Sequence, residues 1–238
     1  MKQINNEFYH DLGDKWFEAS SHPIALLRAE NRLRNPWIIS HLAPGSNVID
    51  LGCGAGFLTS ALSRAGHHAT GIDLSKGSLE TAKKHDAAST YIEADATNVP
   101  LPSHTFDAVC AMDLLEHVPD PQKVVQEAAR LLKPGGLFFF HTFNRTFMSW
   151  LLVIKGVDWF VKNAPPNMHV FDLFIKPKQL TLWCAGHGMQ VQEIKGCGLK
   201  WNSLATWSMA LTREVPENLE FCFNRSLKMG YTGYATLK

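Results

Sequence analysis

Net charge is almost absent: 23 Lys and Arg face 22 Asp and Glu, leaving a formal charge of +1 over 238 residues. Proteins that neutralise phosphates need a basic field or stripe, so neither DNA nor RNA is an expected partner. Disulfide and zinc patterns are missing as well. The five cysteines, Cys53, Cys110, Cys184, Cys197 and Cys222, are odd in number, scattered and without a C-x-x-C spacing. They argue against a disulfide framework or a zinc knuckle and fit reduced thiols in the cytoplasm. No apolar run reaches the roughly 18 residues needed to span a bilayer. The stretch MKQINNEFYHDLGDKW lacks the apolar core of a signal peptide. The expectation is a soluble chain. Repeats and low-complexity tracts are lacking too. Apolar side chains are plentiful at 45%, enough for a single domain over 1–238 with room for a substrate-binding elaboration.

The pattern along the chain is that of an α/β sheet. Residues 1–44 carry Trp16, Phe17, Leu26, Leu27, Leu33, Trp37 and Ile38 at roughly helical spacing and end at Pro44-Gly45, which predicts an N-terminal helical cap. From Asn47, short apolar runs ending in Asp or Gly alternate with helical segments: NVIDL, FLTSALSRA, ATGID, SLETAKKH, TYIEAD. That alternation predicts a parallel sheet. Phe106 to Met112 reads as a buried fourth strand, Asp120 to Leu132 as a helix stopped by Pro134-Gly135-Gly136, and Leu137 to Thr142 as a central fifth strand. Residues 144–168, rich in large apolar side chains with scattered Lys and Arg, read as a helical lid inserted after it. A helix over Lys178 to Ala185 and strands over Met189 to Lys195 and Gly230 to Thr236 complete the reading.

Asp50-Leu51-Gly52-Cys53-Gly54-Ala55-Gly56 lies where a strand meets a helix. Gly52, Gly54 and Gly56 permit a sharp turn and close backbone approach to a ligand at the helix N-terminus. The spacing G-x-G-x-G, with Phe57 in place of the third dinucleotide glycine, leaves NAD the weaker alternative. Asp73, about 20 residues beyond the loop, is placed to accept the hydroxyls of a ribose. Asp95 can reach an adenine amino group, and Asp50 can order an ammonium end. Three carboxylates suit a cationic sulfonium ligand better than an anionic diphosphate. Each feature alone is also an ordinary turn or helix cap.

The runs VIDLGCGAGFLTSALSRAGHHATGIDLS, FDAVCAMDLLEHVPDP and LLKPGGLFFFHTFNR resemble the class I S-adenosylmethionine (SAM)-dependent methyltransferases. The second run, with NRLRNPWI, SWLLVIKGVDWFVKNAPPNMHVF and FIKPKQL, is similar in particular to the ubiquinone-biosynthesis O-methyltransferases, which methylate ring hydroxyls of polyprenyl phenols. The resemblance covers roughly residues 15–195. It implies a Rossmann-like fold with a mostly parallel seven-stranded sheet, SAM as cofactor, and SAM contacts from Arg34, Gly52, Asp73 and Met112. Arg34 is placed to reach the methionine carboxylate, although an arginine on an amphipathic helix is usually a solvated one.

Transfer from a sulfonium releases a neutral thioether, so the chemical demands are in-line placement and removal of the acceptor's proton. A phenol with a pKa near 10 needs a base or a metal for the second. Asp113, Glu116 and His117 leave the fourth strand at i, i+3 and i+4, which on one helical turn groups two carboxylates and an imidazole. That set suits Mg²⁺, Mn²⁺ or Zn²⁺, and metal-bound phenolate is suggested by some relatives in the resembling family. The same turn is also a plain helix entry in many methyltransferases, and Asp113 stands where the family pattern has Glu. Glu116 and His117 are the candidate catalytic pair, with His141 and His169 as alternative bases. The apolar stretch 148–162, flanked by Lys155 and Lys162, is a candidate peripheral membrane contact at the inner membrane surface, able to collect a lipid-like phenolic substrate; covering the sheet is its simpler use. The remaining alternatives are methylation of another small molecule and a catalytically silent SAM-binding scaffold. Oligomeric state is not legible.

Overall fold

The computed structural model describes residues 4–238; the first three residues of the cap expected over 1–44 lie outside that range. The rest of the cap is a 3-10 turn at Glu7–Asp11, α1 (Lys15–Glu18) and α2 (Ile24–Ile39). Helix α2 turns Ile24, Ala25, Ala29 and Ile38 inward, and Arg34 with them.

Five strands run parallel: β1 (Asn47–Leu51), β2 (His68–Asp73), β3 (Thr90–Glu93), β4 (Phe106–Met112) and β5 (Leu132–Phe143). They alternate with α3 (Phe57–Arg64), α4 (Lys76–His85) and α5 (Pro121–Leu131). Helix α4 begins at Ser75, whose hydroxyl accepts from the Ser78 N–H, and α5 begins at Asp120 in the same way toward Lys123, with Pro121 pre-set for the first turn. Both faces of the sheet are buried, which is why its strands read as continuous apolar runs. Val109, Ala111, Phe138 and Phe140 pack on one face with Val124, Val125 and Leu180. Ala108, Cys110 and Phe139 pack on the other with Ile38, Leu58 and Leu62.

Beyond β5 the lid holds α6 (Phe147–Ser149), a π-helical turn Trp150–Lys155 and α7 (Gly156–Phe160), so it is helical but irregular. Then come α8 (Pro177–Gly186), β6 (Met189–Leu199), α9 (Leu204–Thr212), β7 (Phe221–Asn224) and β8 (Gly230–Leu237). The sheet order is β3-β2-β1-β4-β5-β8-β6-β7, with β8 antiparallel to both β5 and β6.

Two expectations are corrected, and one helix is added. The sheet has eight strands rather than seven; the addition is β7, a four-residue run paired to the edge of β6. Helix α9 was not legible, because its exposed positions are themselves apolar and blur the helical period. Pro134-Gly135-Gly136 does not separate helix from strand. Strand β5 already starts at Leu132, paired to Phe106, and its register with β4 shifts before Leu137.

Strand order reverses between β1 and β4, so the carboxyl ends of β1, β2, β3 and β4 open a crevice at the switch point.

Candidate active site

The crevice is a cleft of ≈ 530 Å³ lined by Gly52, Gly54, Asp73, Ala94, Asp95 and Asp113, among others, and roofed by the N-terminal Tyr9, His10 and Trp16. The glycine loop is pinned to β2: the N–H groups of Gly52 and Cys53 donate to the Ile72 carbonyl at 2.8 and 2.9 Å. Gly52 and Gly54 have φ of +71° and +52°, and a Cβ on them would stand 2.7 Å from Leu114 and 2.8 Å from Trp16. Only glycine gives both the backbone shape and the space. Asp73 ends β2 and accepts from Gly54 N–H at 2.9 Å and Ser75 N–H at 2.8 Å, which holds its carboxylate at the rim of the cleft. Burial raises its pKa against those two bonds. Asp95, exposed on the cleft wall, accepts from the Thr97 N–H and hydroxyl, each at 2.8 Å. Asp73, Asp95, Asp113 and Asp120 line the cleft against a single lysine, Lys123. The negative balance matches a cationic ligand.

The other expected cofactor residues sit behind this wall. Gly56 caps α3 at φ +79° with the Tyr91 hydroxyl 2.5 Å from where its Cβ would be. Asp50 lies beneath the loop, bonded by the Thr59 hydroxyl at 2.8 Å, and burial pushes its pKa up to about 7. Met112 packs on the core with Ala108, Cys110 and Phe139.

Arg34 is 1% exposed and bound to protein. Its Nη1 donates to Asp113 Oδ1 at 3.0 Å, its Nη2 to Asp113 Oδ2, and Glu30 lies 3.4 Å away. Burial opposes the guanidinium's charge, but Asp113 and Glu30 raise its pKa beyond the ordinary value. For Asp113, burial acts upward, yet Arg34 and then His141 hold its carboxyl below the usual range. His141 is fully buried with its Nε2 3.5 Å from Asp113 Oδ1, and burial lowers its pKa to about 3.

The expected single helical turn over Asp113, Glu116 and His117 does not form. Asp113 adopts φ +58° and the chain then makes a 3-10 turn at Leu115–His117. As a result the three residues fall into two clusters. Ligand atoms of Glu116, His117 and His169 lie within 4.8 Å of one another, and so do those of Glu30, Asp113 and His141. Asp113, committed to Arg34, does not join Glu116 and His117. Glu116 accepts from the Thr142 hydroxyl at 2.7 Å, while its Oε1 has no partner among the described residues. Burial and then Asp113 push its pKa up. Burial lowers His117 to about 4 and His169 to about 3, so both rings are neutral near pH 7. His117 Nδ1 lies 3.1 Å from Asn6 Oδ1.

A second cavity, ≈ 340 Å³, is bounded by α2, the lid, β6 and α9, with Leu26, Leu27, Val153, Phe160, Trp207 and Met209 on its walls. The two cavities share Tyr9, Asp113 and His117. Sequence reasoning missed Asn6, Tyr9, Trp16 and Glu30. The cap was read as helical from its apolar spacing, with Arg34 alone turned toward the ligand, and nothing in that spacing distinguishes a residue facing the cleft from one facing solvent.

A methyltransferase domain model matches residues 49–140. A ubiquinone biosynthesis O-methyltransferase from Methylococcus capsulatus is 36% identical over 223 residues, covering 91% of this chain and 92% of the relative. Another from Actinobacillus pleuropneumoniae is 42% identical over 209 residues, covering 82% and 88%. Among solved structures, magnesium protoporphyrin IX methyltransferase from Synechocystis with bound SAH matches at TM-score 0.62 and 17% identity, over 90% of this chain and 85% of that one.

Proposed function

From the premise that this chain belongs to the ubiquinone biosynthesis O-methyltransferases, built on the class I SAM-dependent methyltransferase fold, we propose that it methylates a ring hydroxyl of a polyprenylated benzenoid. The observation that carries this reading is the meeting of an acidic cleft and an apolar cavity at Tyr9, Asp113 and His117. A sulfonium donor fits the first, and a prenylated ring the second.

The cleft supplies Asp73 for the ribose of SAM, Asp95 for the adenine, and the glycine loop for close approach. The acceptor's O–H gives its proton to neutral His117, and its oxygen attacks the methyl carbon. The C–S bond breaks with its electron pair moving to sulfur, which leaves as a neutral thioether. Because the imidazole is a weak base beside a phenol, its positioning and the exclusion of water must supply much of the rate. Glu116, His117 and His169 are the residues that would hold a divalent ion, Mg²⁺ or Zn²⁺; their convergence and the unpaired Glu116 Oε1 fit one, and His117 would then be its ligand rather than the base. Such an ion would stabilise the phenolate. Arg34 and Asp113 act as the braced floor beneath the reacting atoms.

The cavity is too small for a long prenyl tail, which must leave through its mouth. Phe160, Trp201 and Trp207 line the cavity and are also exposed. Next to them Trp159, Leu204 and Leu211 are exposed, the last two by 89% and 85%. This rim, from the lid stretch 148–162, Trp201 and α9, suits a membrane interface that delivers the tail. No helix among the described residues is long and apolar enough to cross a membrane, so the contact would be peripheral, on the cytoplasmic side of the inner membrane.

Calorimetric titration with SAM and SAH, then turnover on a short-chain prenyl catechol with and without chelator, tests the reading. Binding and methylation are expected, and chelator-sensitive turnover would place the ion at the site. Binding without methylation of any catechol would overturn the assigned substrate.

A further inference from the structure

Asn6 lies 111 residues before His117 in the chain, yet it grips that residue at two points. Its Nδ2 donates to the His117 backbone carbonyl at 2.9 Å, and its Oδ1 lies 3.1 Å from His117 Nδ1. The carbonyl can only accept, so the amide nitrogen must face it, and the amide oxygen is thereby the atom turned to the ring. An amide oxygen cannot donate. Nδ1 must therefore carry the ring proton, which in a neutral imidazole leaves the lone pair on Nε2. Among the described residues no other side chain hydrogen-bonds this ring.

We propose that Asn6 is a positioning residue for methyl transfer: its carboxamide fixes the tautomer and plane of the His117 imidazole so that Nε2 is the nitrogen offered to the acceptor hydroxyl. The proposal rests on the assignment of His117 as the group that receives the acceptor's proton.

The surroundings explain how one asparagine in an N-terminal segment can hold a fixed position. The Asn5 N–H donates to the Asn167 carbonyl at 3.1 Å, tying the segment to the end of the lid. On the other side the Ser78 hydroxyl donates to the Tyr9 carbonyl at 3.0 Å, and Gly77 leaves room for the His10 carbonyl, which would stand 2.2 Å from a Cβ there. Tyr9 packs edge-on against the His117 ring at 5.9 Å and stacks on Trp16 at 5.6 Å. The segment is thus held at both ends, with Asn6 between them. The usual orienting partner of a functional histidine is a carboxylate or a backbone carbonyl. Here neither nearby carboxylate bonds the ring, Glu116 accepting from Thr142 through one oxygen and Asp113 from Arg34, and the orienting role falls to the amide.

The test compares the full-length protein with its Asn6→Ala and Asn6→Asp variants. Asn6→Asp keeps an acceptor at Nδ1 but loses the donor to the His117 carbonyl, and Asn6→Ala removes both. The tautomer is read from the ring ¹⁵N shifts of His117, assigned by their loss in His117→Gln, with kinetics on SAM and a short-chain prenyl catechol alongside. Wild type should show Nδ1–H at neutral pH. Asn6→Ala should populate Nε2–H and lower kcat by roughly 10- to 100-fold, the usual loss for an orienting partner, with KM for SAM within about twofold. Asn6→Asp should restore the Nδ1–H form and a measurable part of kcat over Asn6→Ala. An unchanged tautomer in Asn6→Ala would overturn the proposal even if activity fell, since the loss would then be structural. A shifted tautomer with unaltered kcat would also overturn it. If wild type methylates no catechol but the tautomer responds as described, the orienting contact stands and it is the substrate assignment that fails.

Discussion

Replacing Arg34 by Met removes a guanidinium that is 1% exposed and leaves its two carboxylate partners in place. Breaking a buried pair from one side costs about 3–5 kcal/mol, because the remaining charge keeps its desolvation penalty without its partner. At roughly 2–4 °C per kcal/mol for a chain of this size, the melting temperature should fall by about 6–20 °C. The effect has a signed pH dependence. Asp113 is held below the usual carboxylate range by Arg34, so its contribution is present above the unfolded value of about 3.9 and is lost as pH falls through the lower folded value. Without Arg34, burial and Glu30 act on Asp113 in the upward direction. The gap between wild type and Arg34→Met should therefore widen as pH rises above about 4 and narrow in acid. Thermal unfolding by calorimetry between about pH 4 and 8 measures this. The double variant Arg34→Met with Asp113→Leu should recover most of the loss, since a buried pair exchanged for apolar side chains is often neutral. A drop below about 2 °C for the single variant, or a double variant no more stable than the single, would refute the picture of a buried charge network beneath the site.

Gly54→Ala places a Cβ 2.8 Å from Trp16 at φ +52°; the strain of about 1–2 kcal/mol and the displaced ring should weaken SAM binding at least ~10-fold by calorimetry while the fold persists. The pH profile of kcat/KM should show no limb near 6.5, because burial lowers His117 to about 4, and the proton-accepting form is lost only as pH falls toward that value; an inflection at the ordinary histidine pKa would contradict this. Leu204→Glu combined with Leu211→Glu, both exposed and outside the cavity wall, should reduce co-sedimentation with anionic vesicles and slow turnover of long-tailed substrate while sparing a short-chain one. Equal loss on both substrates would mean that α9 shapes the cavity rather than meeting a membrane.

How far the molecule was legible depended on the range of the interactions involved. The strands β1 to β5 were readable because a parallel sheet buried on both faces demands unbroken apolar runs, and LFFFHT or FDAVCAM admits few alternatives. The glycine loop was readable for a similar reason, since its backbone shape at Gly52 and Gly54 is local. The cluster at 113–117 was misplaced because helical spacing was assumed where one residue, Asp113, takes positive φ. That conformation is uncommon outside glycine and is tolerated most readily by Asn and Asp. It turns the Asp113 carboxylate toward Arg34, 79 positions earlier, and delivers Glu116 and His117 to His169 instead. No periodicity encodes such a partnership, because it is made only when α2 folds over the ends of β4 and β5. The same holds for Asn6, whose role exists only once an N-terminal segment is tied down on both sides. Residues that contact backbone or cofactor through local geometry leave a signature in spacing; residues that orient others across the fold leave one only in the assembled structure.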